Sequence, residues 1–246
     1  MKADARVFKG SEALSLAAAD LFVAAAAQAL NVRGRFLVAL SGGSTPSGLY
    51  RLLADEPYRS RVEWSNTFVF WGDERCVPPE DEGSNYRQAF ETLLQHVPIP
   101  AENVQRIKGE LEPAEASDDY AQTLKRFAAP GLDWPRFDLV LLGMGADGHT
   151  ASLFPSSQVD VAAPTLAVSA DYQGRPAQRV TLTPPVFNSA RTVLFLVTGE
   201  DKAETLSHVL SDVFLPEQYP AQRIRPADGQ VIWLVDEAAG TYLLVE

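Results

Sequence analysis

The chain has 246 residues, 46% hydrophobic and 22% charged, the proportions of a folded protein rather than a disordered one. Its 21 basic and 32 acidic residues leave a net charge of −11, which repels nucleic acid and anionic membranes unless positive charge is concentrated locally. The single cysteine, Cys76, excludes an intrachain disulfide and a cysteine zinc cluster, and fits a reducing cytoplasm.

The opening segment MKADARVFKG carries Asp4 and lacks an apolar run, so it is expected not to be a signal peptide. Residues 11–30 predict a helix, because alanine and leucine dominate and Ser11 is a fitting cap. Its most apolar run, LFVAAAAQAL, is ten residues long. That is too short to span a bilayer, so a core-facing helix ended by Gly34 is expected. RFLVAL (35–40), closed by Gly42 and Gly43, predicts a buried strand. A helix follows at 45–57, with Thr45 as cap and Pro46 in the first helical position. Strand 67–72, helices 84–97 and 114–129, and strand 137–143 come next. Strands 166–170, 178–183, 192–198 and 231–235 complete the pattern, with a helix at 200–212. Strands apolar on both faces and separated by helices predict one α/β domain over 1–246. The expected architecture is doubly wound, a mostly parallel sheet with helices on both faces. Such sheets bind ligands beyond the carboxyl ends of their strands, which directs attention to three loops.

ALSGGSTPSG follows strand 35–40. Gly42 and Gly43 let the backbone turn tightly, and Ser44 and Thr45 offer hydroxyls and N–H groups where a helix opens, a setting that favours phosphate. The same residues also make an ordinary glycine turn before a helix. The loop has no Walker lysine, and Pro46 stands where a G-x-S-x-G nucleophile elbow around Ser44 needs its last glycine. FWGDERCVPP follows strand 67–72, placing Asp73 and Arg75 where they can orient hydroxyls and grip an anion. An internal ion pair on a solvated surface is the alternative there. LLGMGADGHTASLFP follows strand 137–143 and matches the dinucleotide fingerprint G-x-G-x-x-G, but Pro155 would stop the required helix within two turns. His149 ends that turn, two residues after Asp147. A histidine on a strand-end loop can serve as general base, with a carboxylate to hold its ring. His96 and His208 fall in amphipathic helices, and no second histidine or cysteine has metal-ligand spacing. Arg179 and Lys202 are two further cations able to neutralise a phosphate, or to stand as plain surface charges.

In this order the segments SGGSTPSGLYRLL, GDERCVPPEDEGSNYRQA, GMGADGHTASLFP, RVTLTPPVFNSA, TGEDKA and WLVDEAA resemble the 6-phosphogluconolactonase family, related in fold to glucosamine-6-phosphate deaminases. The resemblance implies hydrolysis of 6-phospho-D-glucono-1,5-lactone to 6-phospho-D-gluconate in the oxidative pentose phosphate pathway. It implies a small-molecule partner, the sugar-phosphate lactone, and no metal or organic cofactor; no nucleic acid or membrane partner is expected. The deaminases follow their Asp-Gly-His stretch with Asn-Glu-Pro, whose glutamate supports the histidine. Here the segment is Leu153-Phe154-Pro155, so lactone hydrolysis is favoured over ring-opening amine chemistry. A non-catalytic sugar-phosphate sensor on the same fold is the rival from another class. Carried onto matching positions, the resemblance implies His149 as the base, Asp147 as its orienting partner and Arg75 at the lactone. It implies Asp73 on a sugar hydroxyl, with Gly42, Gly43, Ser44, Thr45, Arg179 and Lys202 around the 6-phosphate.

Overall fold

The computed structural model describes residues 4–157 and 162–243, so the first three residues of the amino-terminal segment lie outside the description. Six parallel strands form the main sheet. Their spatial order is β1 (Asp4–Phe8), β9 (Gln230–Asp236), β8 (Thr192–Val197), β5 (Leu139–Leu142), β2 (Phe36–Leu40) and β3 (Thr67–Trp71). Every residue of β2 and β5 is buried, as expected of strands covered on both sides.

The register shows how the two faces are filled. Phe36 and Leu37 lie on opposite faces of β2, and Leu37 pairs with Phe68 on β3. Phe36 meets Phe22 of helix α1 (Ser11–Arg33) edge-on at 5.3 Å. On the other face, Phe68 and Phe70 meet Phe127 of helix α4 (Pro113–Phe127) at 5.4 and 5.1 Å. Helices therefore cover both faces, which makes the fold the doubly wound α/β class. By length and composition α1 could cross a membrane, being 23 residues rather than the shorter apolar run. Its Leu14, Ala18, Phe22, Val23 and Ala26 are instead buried against helix α2 (Ser44–Ala54), β2 and β9.

Some local expectations need correction. Helix α2 starts at Ser44 with Gly43 as its cap, so Thr45 is inside the helix and Pro46 is its third residue. The helix expected at 84–97 is α3 (Asn85–Thr92) followed by a short 3-10 turn at 94–96. The helix expected at 200–212 is a 3-10 turn over 200–202 and then α6 (Ala203–Val209). Strand β1 and the short helix α5 (Pro184–Asn188) carried too little pattern to be read.

The largest departure is a second, antiparallel sheet, ordered β4 (Asp73–Arg75), β7 (Gln178–Leu182) and β6 (Thr165–Ser169). Gly72 is the junction. Its N–H donates to the Leu40 carbonyl of the main sheet, and its own carbonyl accepts from Leu182 N–H of the small one. The chain therefore leaves β3 and turns at once into β4, across the carboxyl end of the main sheet. Chain direction also reverses there: β2 leads outward to β3, and the chain later returns to β5 on the other side of β2. That divergence opens a crevice beyond the ends of β2 and β5.

Candidate active site

The crevice encloses about 240 Å³ and is lined by Gly42, Gly43, Ser44, Thr45, Asp73, Arg75, His149, Arg179 and Lys202. Asp147 lies behind His149 and is hydrogen-bonded to it. All the residues expected from sequence thus converge on one cavity. His96 and His208 do not line it.

The loop after β5 builds the imidazole position. Gly145 N–H donates to the His149 carbonyl at 2.9 Å and Gly148 N–H to the Gly145 carbonyl at 3.0 Å, folding the loop back on itself. No helix follows, so the glycine pattern is a tight turn and not a dinucleotide fingerprint. His149 Nδ1 lies 2.6 Å from Asp147 Oδ1, and the same oxygen accepts from His149 N–H at 3.1 Å. A carboxylate partner assigns the Nδ1 proton as donor and leaves the Nε2 lone pair. Burial opposes ionisation of Asp147, but the His149 hydrogen bond and charge outweigh it and hold the carboxyl below its ordinary value. Phe154 stacks on the imidazole, with centroids 4.5 Å apart and planes at 29°. Gly145 is required by close approach: an added Cβ would stand 2.1 Å from His149 Nδ1.

The small sheet supplies the cations. In the β4–β7 ladder Arg75 is directly opposite Arg179. Like charges facing each other across a ladder repel, and these two are 9% and 3% exposed. Arg75 gives one N–H to the Gly83 carbonyl at 2.7 Å, while its Nε has no partner among the described residues. Arg179 Nε and Nη2 are likewise buried without a partner there, and desolvation lowers the guanidinium pKa from its usual value. Buried donors of this kind are costly unless a ligand completes them. The cavity thus presents cationic donors able to receive an anion, even though the whole chain is acidic.

The α2 end of the cavity is partly committed. Gly43 N–H donates to Gln88 Oε1 at 2.9 Å, and Gln88 Nε2 returns to the Gly43 carbonyl. The donors left for a ligand are the Ser44 and Thr45 N–H groups, since Pro46 has none and the first turn lacks intrahelical acceptors. Thr45 Oγ1 bonds to Thr198 Oγ1 at 2.8 Å, and Lys202 Nζ reaches the Thr198 carbonyl at 2.6 Å. Ser44 Oγ has no hydrogen bond to a histidine or carboxylate among the described residues, so it lacks the base a nucleophile elbow needs. Asp73 is already engaged, Oδ2 by Ser152 Oγ at 2.7 Å and Oδ1 by Asn85 Nδ2 at 3.3 Å. Among the described residues no group of three or more His, Cys, Asp or Glu side chains could hold a metal ion.

Asn85, Tyr172, Gln173, Arg175 and Asp201 also line the cavity and were not read from sequence. Asn85 packs where a Gly42 side chain would be, its Oδ1 only 1.7 Å from an added Cβ there. Glu74, between Asp73 and Arg75, faces away from the ligand side. It accepts Arg75, Asn85 and Tyr86 N–H groups and the Ser84 hydroxyl at 2.7–3.0 Å. Burial nonetheless pushes its carboxyl up to about 7. Its part is to fix the start of α3 against β4.

Residues 9–233 match the family described as Glucosamine-6-phosphate isomerases/6-phosphogluconolactonase. The chain is 39% identical over 248 residues to the 6-phosphogluconolactonase of a Nostoc species, covering 100% of both chains. It superposes on the 6-phosphogluconolactonase of Trypanosoma brucei with a TM-score of 0.85 and 30% identity, over 98% of this chain and 99% of that one. A monomeric glucosamine-6-phosphate deaminase shares the fold at a TM-score of 0.83 and 20% identity, over 97% of this chain and 99% of that one. Sequence likeness over the whole chain, joined to a strand-end cavity of this composition, shows that the chain belongs to the 6-phosphogluconolactonase family of hydrolases.

Proposed function

We propose that the chain hydrolyses 6-phospho-D-glucono-1,5-lactone to 6-phospho-D-gluconate, with His149 as general base. The observation that carries this reading is the pair of buried, incompletely partnered arginines, Arg75 and Arg179, beside an imidazole whose Nδ1 is held by a carboxylate. In the proposed reaction, His149 Nε2 takes a proton from water as its oxygen bonds to C1. The carbonyl electrons move onto oxygen, and Arg75 stabilises the resulting oxyanion. Collapse of that intermediate breaks the bond between C1 and the ring oxygen. The imidazolium then returns its proton to the departing alkoxide, so histidine ends as it began. Asp147 holds the tautomer and stabilises the transient imidazolium. Arg179, Lys202 and the Ser44–Thr45 N–H groups bind the 6-phosphate, which fixes C1 near the base. Asp73 keeps lone pairs for a sugar hydroxyl. A reducing cytoplasm suits a chain whose only thiol is Cys76, half-buried and raised to about 11 by burial.

The ring-opening deaminase reading is disfavoured because an apolar ring, Phe154, packs on the imidazole. A proton-release assay with freshly made lactone, corrected for its spontaneous opening, tests the proposal. His149→Ala should lower kcat by ~10²–10⁴-fold, the usual worth of a positioned base. Wild-type turnover in that variant would reject His149 as base, and tight binding without turnover in the parent would establish the sensor.

A further inference from the structure

The hairpin between β6 and β7 has so far no task. Its tip is a two-residue turn: Gln173 and Gly174 have φ of 51° and 66°, and Arg175 N–H donates to the Tyr172 carbonyl at 3.1 Å. Two successive residues of positive φ match the type I′ turn that suits the twist of paired strands. Glycine fills the second position at no steric cost. One step back, Ala170 N–H donates to the Ala177 carbonyl at 3.0 Å. The tip is therefore closed at two levels, which sets the direction of Tyr172 although its neighbours 173–175 are exposed.

Tyr172 points at the catalytic loop. Its ring centroid is 4.6 Å from that of His149, with planes at 76°. Phe154 is 4.5 Å from His149 and 5.9 Å from Tyr172. Those three separations make an angle of about 80° at the imidazole. Phe154 covers a face of the imidazole, and Tyr172 closes an edge of it. A hydrogen bond at Nδ1 alone leaves the ring able to tilt about that bond. A flat wall on one face still lets it slide within its own plane, and a second wall set across that plane stops the slide.

We propose that Tyr172 is a positioning residue whose aromatic ring holds the His149 imidazole in its working orientation. The inference rests on the reading of His149 as the base. The ring does the work, because an imidazole edge against an aromatic face is the attractive geometry for such a pair. The effect is on the chemical step more than on binding, since Tyr172 acts through a side chain that moves protons.

The test compares Tyr172→Ala, Tyr172→Leu and Tyr172→Phe, each in the parent and in His149→Ala, with folding checked by circular dichroism. In the parent background, Tyr172→Ala should lower kcat roughly tenfold, the scale of one well-made aromatic contact. KM should stay within about twofold, as for an interaction that matters in the transition state. Tyr172→Leu, which keeps apolar bulk at the tip, should fall with alanine, and Tyr172→Phe should restore parental kcat. In the His149→Ala background the alanine change should cost nothing further. Unchanged kcat in Tyr172→Ala would overturn the proposal. An equal loss with and without His149 would overturn it too, as would a phenylalanine variant as poor as alanine. If His149→Ala itself keeps full turnover, the base reading has failed and this inference fails with it. If His149→Ala is inactive while Tyr172→Ala is unimpaired, only the positioning role is lost.

Discussion

Gly145→Ala isolates the imidazole position from every other feature of the site. The added methyl would stand 2.1 Å from His149 Nδ1, 2.2 Å from Cε1 and 2.7 Å from Asp147 Oδ1. Ordinary carbon contacts begin near 3.4 Å, so the ring must retreat by more than an ångström. Its other side is closed by Phe154 and Tyr172, so retreat means rotation out toward the cavity, with loss of the 2.6 Å bond to Asp147. A displacement of about 1 Å at a catalytic group can cost ~10²-fold. Complete expulsion of the base would cost up to ~10⁴-fold. The backbone imposes no strain of its own, because Gly145 is not among the residues of positive φ. Stability should therefore change little while kcat falls at least a hundredfold. Gly143→Ala, two residues earlier in the same loop, adds a methyl to the cavity wall that meets nothing within 4 Å, and so separates crowding of the cavity from crowding of His149. Proton-release kinetics and thermal melts of the two variants decide the matter. Equal activity of Gly145→Ala and Gly143→Ala would refute the idea that this packed imidazole is the working base.

Arg179→Met should raise KM for the phosphorylated lactone about 10–100-fold, the worth of a hydrogen-bonded charge, and affect unphosphorylated gluconolactone far less. The same change removes a desolvated cation that faces Arg75, but also its contact with the Phe154 ring at 5.4 Å and the attraction of Asp73, so the ligand-free protein should change little in stability. A melt showing Arg179→Met several kcal/mol more stable than the parent would mean that burial of the cation outweighs both contacts. Glu74→Gln should destabilise by about 1–3 kcal/mol in urea, because an amide nitrogen would face donors now bonded to a carboxylate oxygen. The parent carries a further signature. Its Glu74 is raised to about 7, so the folded state holds more protons than the unfolded one between roughly 4.5 and 7. Stability from this group accordingly falls as pH rises through that window, and the slope should vanish in Glu74→Gln. An unchanged slope would assign it to another residue.

Sequence and structure agree where one segment carries its own signal. β2, β5 and β8 are apolar on both faces and flanked by glycine, and their loops end in residues of distinctive chemistry, so the Gly42–Thr45 loop and His149 were legible as cavity residues. What escaped depends on partners far along the chain. β4 is three residues long and exists because β7 pairs with it more than 100 positions later; nothing in Asp73–Arg75 alone announces a strand. Arg179 reads as an optional surface charge until the ladder puts it opposite Arg75 and buries it. Asn85 and Tyr172 were missed for the same reason, since each is defined by the glycine or histidine it packs against. The resemblance implied Gly43 beside a phosphate, but Gln88, 45 residues on, occupies its N–H.

On the proposed reading, the small sheet also explains how an acidic protein can hold a dianion. With a net charge of −11, long-range steering works against the substrate, and screening confines that repulsion to roughly 8 Å at physiological ionic strength. Affinity must then come from groups closer than that, in a setting where water does not compete. Surface lysines would be hydrated and mobile. Arginines on paired strands are neither: the β4–β7 register fixes their separation, and burial strips their water before the ligand arrives. Their mutual repulsion is offset in part by the nearby Asp73 charge, and an anion bound at either guanidinium offsets it further. Because β4 begins one residue after β3 ends, that charge is delivered at the mouth of the main sheet, where the β5 loop also brings the imidazole. The Gly72 junction thus puts the two arginines and the imidazole on one cavity. A change that lengthened it would part the arginines from the imidazole while leaving each intact.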